Sequence, residues 1–211
     1  MPVVAIVSQK GGSGKTTLAL HLGACAAYAK KSACVIDTDP QATAAAWGDW
    51  RGEFLPEVIT SPPARLGRTI QNAQKGGIEF IVIDTPPHAE AATREAIMAA
   101  DLVLIPTRPR AFDLHALKPV ADLVAYAGKP AYVVLNAMPS GAKVLAAEAG
   151  KAAEDLGLAM CPVSFGDRAA FHRSSAKGEV AQEIDPEGKA AKEVEALWKW
   201  VRKQLGIKAK G

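Results

Sequence analysis

The chain has 211 residues, 49% of them apolar and 6% aromatic, with 25 basic and 22 acidic residues for a formal net charge of +3. That length and apolar content suit one domain over 1–211 with a sizeable core, and no repeat, low-complexity tract or linker divides it. The longest apolar runs are strand-sized, which excludes a membrane-spanning helix. In chain order, apolar runs predict strands at 3–8, 33–37, 79–84, 102–106, 131–136 and 162–165. Between them, helical spacing predicts helices at 15–30, 41–50, 64–75, 90–99, 112–127, 140–156, 168–176 and 188–205. The strands read as continuous apolar runs, as expected when helices cover both faces of a mostly parallel sheet, which makes a three-layer α/β fold. Residues 52–63, with Pro56, Pro62 and Pro63, read as a loop with a short strand at Val58 to Thr60.

The first strand runs into KGGSGKTT, from Lys10 to Thr17. A strand that ends in a glycine-rich turn and opens a helix leaves backbone N–H groups facing a concavity, where they hold phosphate oxygens. Gly11, Gly12 and Gly14 let the backbone wrap closely around a phosphate, and Ser13 lies between them. Lys15 supplies positive charge for the β and γ oxygens, the Thr16 hydroxyl is placed to ligate Mg²⁺, and Thr17 suits an α-phosphate contact. The general pattern G-x-x-x-x-G-K-[ST] is not met, because its first glycine falls on Gln9; a second lysine, Lys10, opens the loop instead.

That string, K-G-G-x-G-K-[ST]-[ST], resembles the deviant Walker A box of the ParA/MinD family of ATPases. The resemblance implies a P-loop NTPase fold, ATP and Mg²⁺ as cofactors, and a homodimer closed around two ATP molecules. It also implies that Lys10 reaches the phosphates of the nucleotide held by the opposing subunit, so Lys10, Lys15 and Asp39 form the catalytic set. VIDTDPQ, Val35 to Gln41, resembles switch I, in which Asp39 would orient the attacking water and touch the metal's shell; Asp37 is the weaker candidate for the metal through water. FIVIDTPP, Phe80 to Pro87, resembles Walker B followed by switch II, with Asp84 on the metal. Carboxylates at the carboxyl ends of parallel strands converge on the crevice that holds the phosphate loop.

Further along, DLVLIPTRP, Asp101 to Pro109, resembles the strand after switch II, and VVLNAMP, Val133 to Pro139, the strand ending at the base pocket. Asn136 either hydrogen-bonds the adenine edge or ends its strand in an Asx turn. Cys161 to Glu183 resembles the segment that closes over the base. Cys25, Cys34 and Cys161 form no C-x-x-C pair, so neither zinc nor an iron–sulfur cluster is expected, and a cytosolic setting is. Only Met1 and Pro2 precede the first strand, so neither a signal peptide nor an N-terminal DNA-reading extension is expected.

Residues 189–211 hold seven Lys or Arg against Glu193 and Glu195, so the basic excess is local. Val194, Leu197, Trp198, Val201 and Leu205 recur at helical spacing, with Lys199, Arg202 and Lys203 largely on other faces. Together with Arg168, Arg173 and Lys177 they are the candidate contacts to the phosphate backbone of nonspecific DNA. The resemblance then implies a nucleoid-associated ATPase that segregates a plasmid or chromosome, or positions a cytoplasmic cargo, with hydrolysis hastened by a ParB-like partner on the cargo. Two alternatives stand beside it. A MinD-like protein would use the C-terminal helix, with Trp198 and Trp200, at a membrane. A metabolic enzyme of the same superfamily would need acid/base groups, whereas His21, His88, His115 and His172 are scattered.

Overall fold

The computed structural model describes residues 1–52 and 54–208; Lys210 of the basic tail lies outside them. Seven parallel strands form one sheet: β1 (Val3–Ile6), β2 (Ala33–Asp37), β3 (Glu57–Thr60), β4 (Phe80–Asp84), β5 (Leu102–Thr107), β6 (Ala131–Leu135) and β7 (Ala159–Met160). Their order is β3-β2-β4-β1-β5-β6-β7, so the chain moves outward from β1 first toward one edge and then toward the other. The strand order reverses at β1, and a crevice opens there at the carboxyl ends.

Both sheet faces are apolar because alternate residues of each strand feed separate layers. Val4, Ile6, Val35, Val82 and Leu104 pack under α1 (Lys15–Tyr28) and α2 (Thr43–Arg51), which share that layer with α8 (Ala169–Ser175), α9 (Ala181–Ile184) and α10 (Lys189–Gln204). Val3, Ala5, Ile36, Ile83 and Ile105 pack under α3 (Leu66–Lys75), α4 (Glu90–Ala99), α6 (Lys118–Ala127) and α7 (Lys143–Asp155). The three-layer α/β architecture expected from the sequence is the one observed. Helix α1 crosses β2 closely at Gly23, where an added Cβ would lie 2.9 Å from the Val35 side chain.

Two of the expected elements differ, both through proline, and the short helix α9 falls where none was expected. The helix expected at 112–127 is two, α5 (Ala111–His115) and α6, because Pro119 lacks an N–H and its ring collides with the carbonyl four residues back, at His115. The last strand lies at 159–160 instead of 162–165. The chain does run on beside β6, with N–H bonds from Cys161 to Val133 O and Phe165 to Leu135 O at 2.8 Å. Pro162 sits between them with no N–H to give, so no continuous ladder forms. The edge strand at Val58 to Thr60 is present as β3.

Candidate functional site

The phosphate loop leaves β1 between β4 and β5 and enters α1. Gly12 and Gly14 hold φ of 68° and 95°, left-handed values that a side chain would strain, and a Cβ on Gly14 would fall 2.1 Å from Asn136 Nδ2. No side chain caps the start of α1, so its first N–H groups remain for an anion. Lys15 opens that helix, is 6% exposed, and folds its ammonium back to donate to the Lys10 carbonyl at 3.3 Å. Burial lowers the Lys15 pKa, while the nearby charges of Asp84 and Asp39 oppose the shift. Lys10 is half-buried on the rim and its ammonium forms no ion pair among the described residues.

Register fixes the carboxylates. Asp84 pairs with Ile6 on one side and with Asp37 on the other, so all three reach the crevice at one level. Asp84 is 1% exposed, and apart from the neighbouring Thr16 hydroxyl its oxygens meet no hydrogen-bond donor among the described residues. Burial pushes its pKa up to about 7; the charges of Asp37 and Asp39 add to the rise, and the Thr16 hydroxyl and Lys15 oppose it. Asp37 is occupied: its carboxylate accepts the N–H of Asp39 at 2.9 Å and of Ala45 at 3.0 Å, tying the switch I loop to α2. Its pKa is also raised by burial, with these backbone bonds pulling the other way. Asp39 is half-buried and accepts the Gln41 N–H with Oδ1 at 2.9 Å.

A buried carboxylate with only a threonine hydroxyl beside it fits a hard divalent cation. Thr16 and Asp84, with Asp39 nearby on the switch I loop, would hold Mg²⁺. No group of three or more His, Cys, Asp or Glu among the described residues makes an all-protein metal cage. Mg²⁺ needs none, since it keeps water and takes phosphate oxygens beside one or two protein ligands. The Ser13 hydroxyl and Arg108 Nε are buried without a partner among the described residues, so unmet polar atoms collect around this loop.

On the β5–β6 side, Pro106, Val134, Phe165 and Phe171 line a narrow apolar cleft with Thr17, Leu18 and His21, of a character that suits a flat base. Asn136 stands at its edge: Nδ2 donates to Ser13 O at 2.8 Å and Oδ1 accepts the Ala137 N–H at 2.9 Å, which leaves the second N–H of the amide. His21 is a structural residue. Its Nδ1 donates to Thr17 O at 2.7 Å and its Nε2 accepts the Ala181 N–H at 3.0 Å, a pattern only the neutral ring can make. Burial lowers its pKa to about 4.

Among the candidate basic residues, Arg173, Lys177, Lys199 and Lys203 are exposed and Arg202 half-buried. Arg168 is committed instead: Nε lies 3.0 Å from both carboxylate oxygens of Glu193, and Nη2 donates to the same group, so its charge is neutralised. Trp198 is 6% exposed against Phe80 and lies inside the fold, whereas Trp200 is half-buried and packs edge-on against the half-buried Tyr132 at 4.7 Å.

Sequence reasoning missed Arg108, whose Nη2 donates to Gly12 O, and the Arg51 network that ties α2 to the segment over the base. Both join positions distant along the chain, and neither leaves a local pattern.

Residues 4–158 match the family model described as the CobQ/CobB/MinD/ParA nucleotide binding domain. The maintenance of carboxysome distribution protein A of Gloeobacter kilaueensis is 31% identical over 206 residues, covering 96% of this chain and 93% of that protein. The sporulation initiation inhibitor protein Soj of Bacillus subtilis is 28% identical over 163 residues, 58% of this chain and 64% of Soj. Among solved structures, the septum site-determining protein MinD of Pyrococcus horikoshii, complexed with Mg-ADP, superposes with a TM-score of 0.78 at 20% identity, covering 100% of this chain and 99% of that one. The ATP complex of a Cyanothece McdA variant gives 0.72 at 17%, covering 100% and 98%. With this loop, these strand-end carboxylates and this match, the chain belongs to the CobQ/CobB/MinD/ParA nucleotide-binding family and is a P-loop ATPase of the MinD/ParA type that works with ATP and Mg²⁺.

Proposed function

We propose that the chain, as one domain over 1–211, is a ParA-type positioning ATPase whose ATP-bound dimer rides on nonspecific DNA and releases it on hydrolysis. The observation that carries this reading is Lys10: the loop holds two lysines, and while Lys15 folds into the floor, Lys10 stays on the rim with no ion pair among the described residues. A cation at the mouth of the phosphate loop, with no ion-pair partner of its own among the described residues, is placed to serve a nucleotide in a facing copy. In this reading the N–H groups of Gly11 to Thr17 wrap the phosphates and Lys15 offsets the β/γ charge. Asp39 aligns the attacking water with the carboxylate oxygen that Gln41 does not occupy, and Asn136 borders the base. Mg²⁺ between Thr16 and Asp84 would screen the phosphate charge.

The cargo is an assembly moved over the nucleoid, met through a ParB-like partner. The relatives matched along nearly their whole length are named for carboxysome distribution, which favours a protein assembly over a plasmid as cargo. DNA is favoured over a membrane because α10 buries Val194, Leu197, Trp198 and Val201 and leaves Lys199 and Lys203 outward, so its apolar stripe is turned to the core and its outward face is basic. Among the described residues no helix is long and apolar enough to cross a membrane.

Electrophoretic shifts of an unrelated duplex with ATP, ADP or no nucleotide, across a salt series, test the proposal. A shift is expected with ATP alone. Replacing Lys199, Arg202 and Lys203 by Ala weakens it and flattens its salt dependence by about one counterion per lost phosphate contact. Flotation with anionic liposomes and no shift would replace this reading with the membrane-bound one.

A further inference from the structure

Arg108 follows β5 and reaches the phosphate loop 96 residues earlier, where its Nη2 donates to the Gly12 carbonyl. The next carbonyl, Ser13 O, accepts from Asn136 Nδ2 at 2.8 Å, from the end of β6. Two successive loop carbonyls are therefore drawn toward the β5–β6 side. In a planar trans peptide the C=O of one residue and the N–H of the next point in opposite directions. Holding the Gly12 and Ser13 carbonyls on one side thus aims the N–H groups of Ser13 and Gly14 to the other.

These peptides need such ties. Gly12 and Gly14 both sit at positive φ, and glycine loses more conformational entropy on ordering than any other residue. The loop is also tightly fitted at this point, for a Cβ on Gly12 would lie 3.1 Å from Arg108 Nη2. The guanidinium stands there although its Nε is buried without a partner among the described residues. A charged donor to a carbonyl is about twice as strong as a neutral one, and it polarises the peptide so that the opposite N–H becomes a better donor.

We propose that Arg108 is a positioning residue of the phosphate loop: it acts through Gly12, orienting the Ser13 N–H for the phosphates, and does not itself touch the terminal phosphate. The proposal rests on reading the loop as the nucleotide site.

Isothermal titration with Mg-ADP and Mg-ATP, beside steady-state ATPase kinetics, tests it on wild type, Arg108→Ala, Arg108→Lys and the bulk-preserving Arg108→Met. Arg108→Ala and Arg108→Met should weaken ADP and ATP by the same factor, about tenfold for one charge-assisted bond, with the loss in KM and not in kcat. Arg108→Lys should recover most of it, since an ammonium also donates to a carbonyl. A much larger loss for ATP than for ADP would overturn the proposal in favour of a direct terminal-phosphate contact. Unchanged affinities in Arg108→Met would show the contact to be idle, and a fall in kcat at constant KM would assign the residue to the transition state. Failure of the wild type itself to bind either nucleotide would instead overturn the underlying site.

Discussion

His21 lies on the helix that opens at the phosphate loop, and both its ring nitrogens are used, one by Thr17 and one by Ala181. Protonation would turn Nε2 from acceptor to donor against an N–H and place a charge in the core. Its folded pKa of about 4 lies below the ordinary 6.5, so the unfolded chain binds this proton first as pH falls. Stability from His21 is therefore present above pH 6.5 and lost progressively down to pH 4, about 2 kcal/mol of it by pH 5. Asp84 acts with the opposite sign in the nucleotide-free protein, because its raised pKa favours folding at lower pH. Comparing wild type with His21→Gln removes that common contribution. In urea unfolding the stability gap between the two should narrow by about 2 kcal/mol from pH 7 to pH 5; a constant gap would mean that His21 is not held neutral.

Helix α2 begins beside the carboxylates and ends in a buried cation. Arg51 donates from Nε to Leu55 O at 2.9 Å, from Nη1 to Gly178 O at 2.9 Å, and from both terminal nitrogens to Glu183 at 3.0 and 2.8 Å, while lying 4.9 Å over the Trp47 ring. Tyr28 donates to the same carboxylate, and Trp47 Nε1 donates to Glu179 O at 3.2 Å. One helix is thereby fastened at its amino end to Asp37 and at its carboxyl end to the segment beside the base cleft. Removing the guanidinium strands two carbonyls and a carboxylate, so Arg51→Ala should cost about 3 kcal/mol in chemical denaturation, discounted for the partly exposed Glu183. A loss below about 1 kcal/mol would mean that water replaces the guanidinium at little cost. How much was legible in the sequence follows from the same elements. The strand, glycines and lysines of the loop are contiguous, and VIDTD and FIVID each end a buried run in a carboxylate, so their convergence could be anticipated from parallel topology. Pro119 and Pro162 carried a signal that the apolar spacing around them outweighed. Arg51, Arg108 and His21 carried none, because each is defined by a carbonyl, carboxylate or N–H that the chain brings back from far away.

For the molecule as a unit, Lys10 decides between a self-sufficient nucleotide site and a shared one. Lys10→Ala leaves Lys15 in place, so ATP should still bind with affinity within about threefold of wild type, a change under about 1 kcal/mol. The wild type should run as a dimer with ATP on size-exclusion chromatography and the variant as a monomer; an ATP-dependent dimer of the variant would remove Lys10 from the interface.

Helix α1 begins at the phosphate loop, and Tyr28 at its far end borders a basic cleft with Lys30, Lys31, Arg202 and Lys208. Its 14 residues set these two places about 21 Å apart. That exceeds two Debye lengths at physiological ionic strength, about 8 Å each, so the charge of a bound nucleotide is largely screened from an anion at the cleft. Whatever ATP does to that distant surface must travel as displacement of packed helices or as pairing of two molecules, and it should persist in salt that would silence a field.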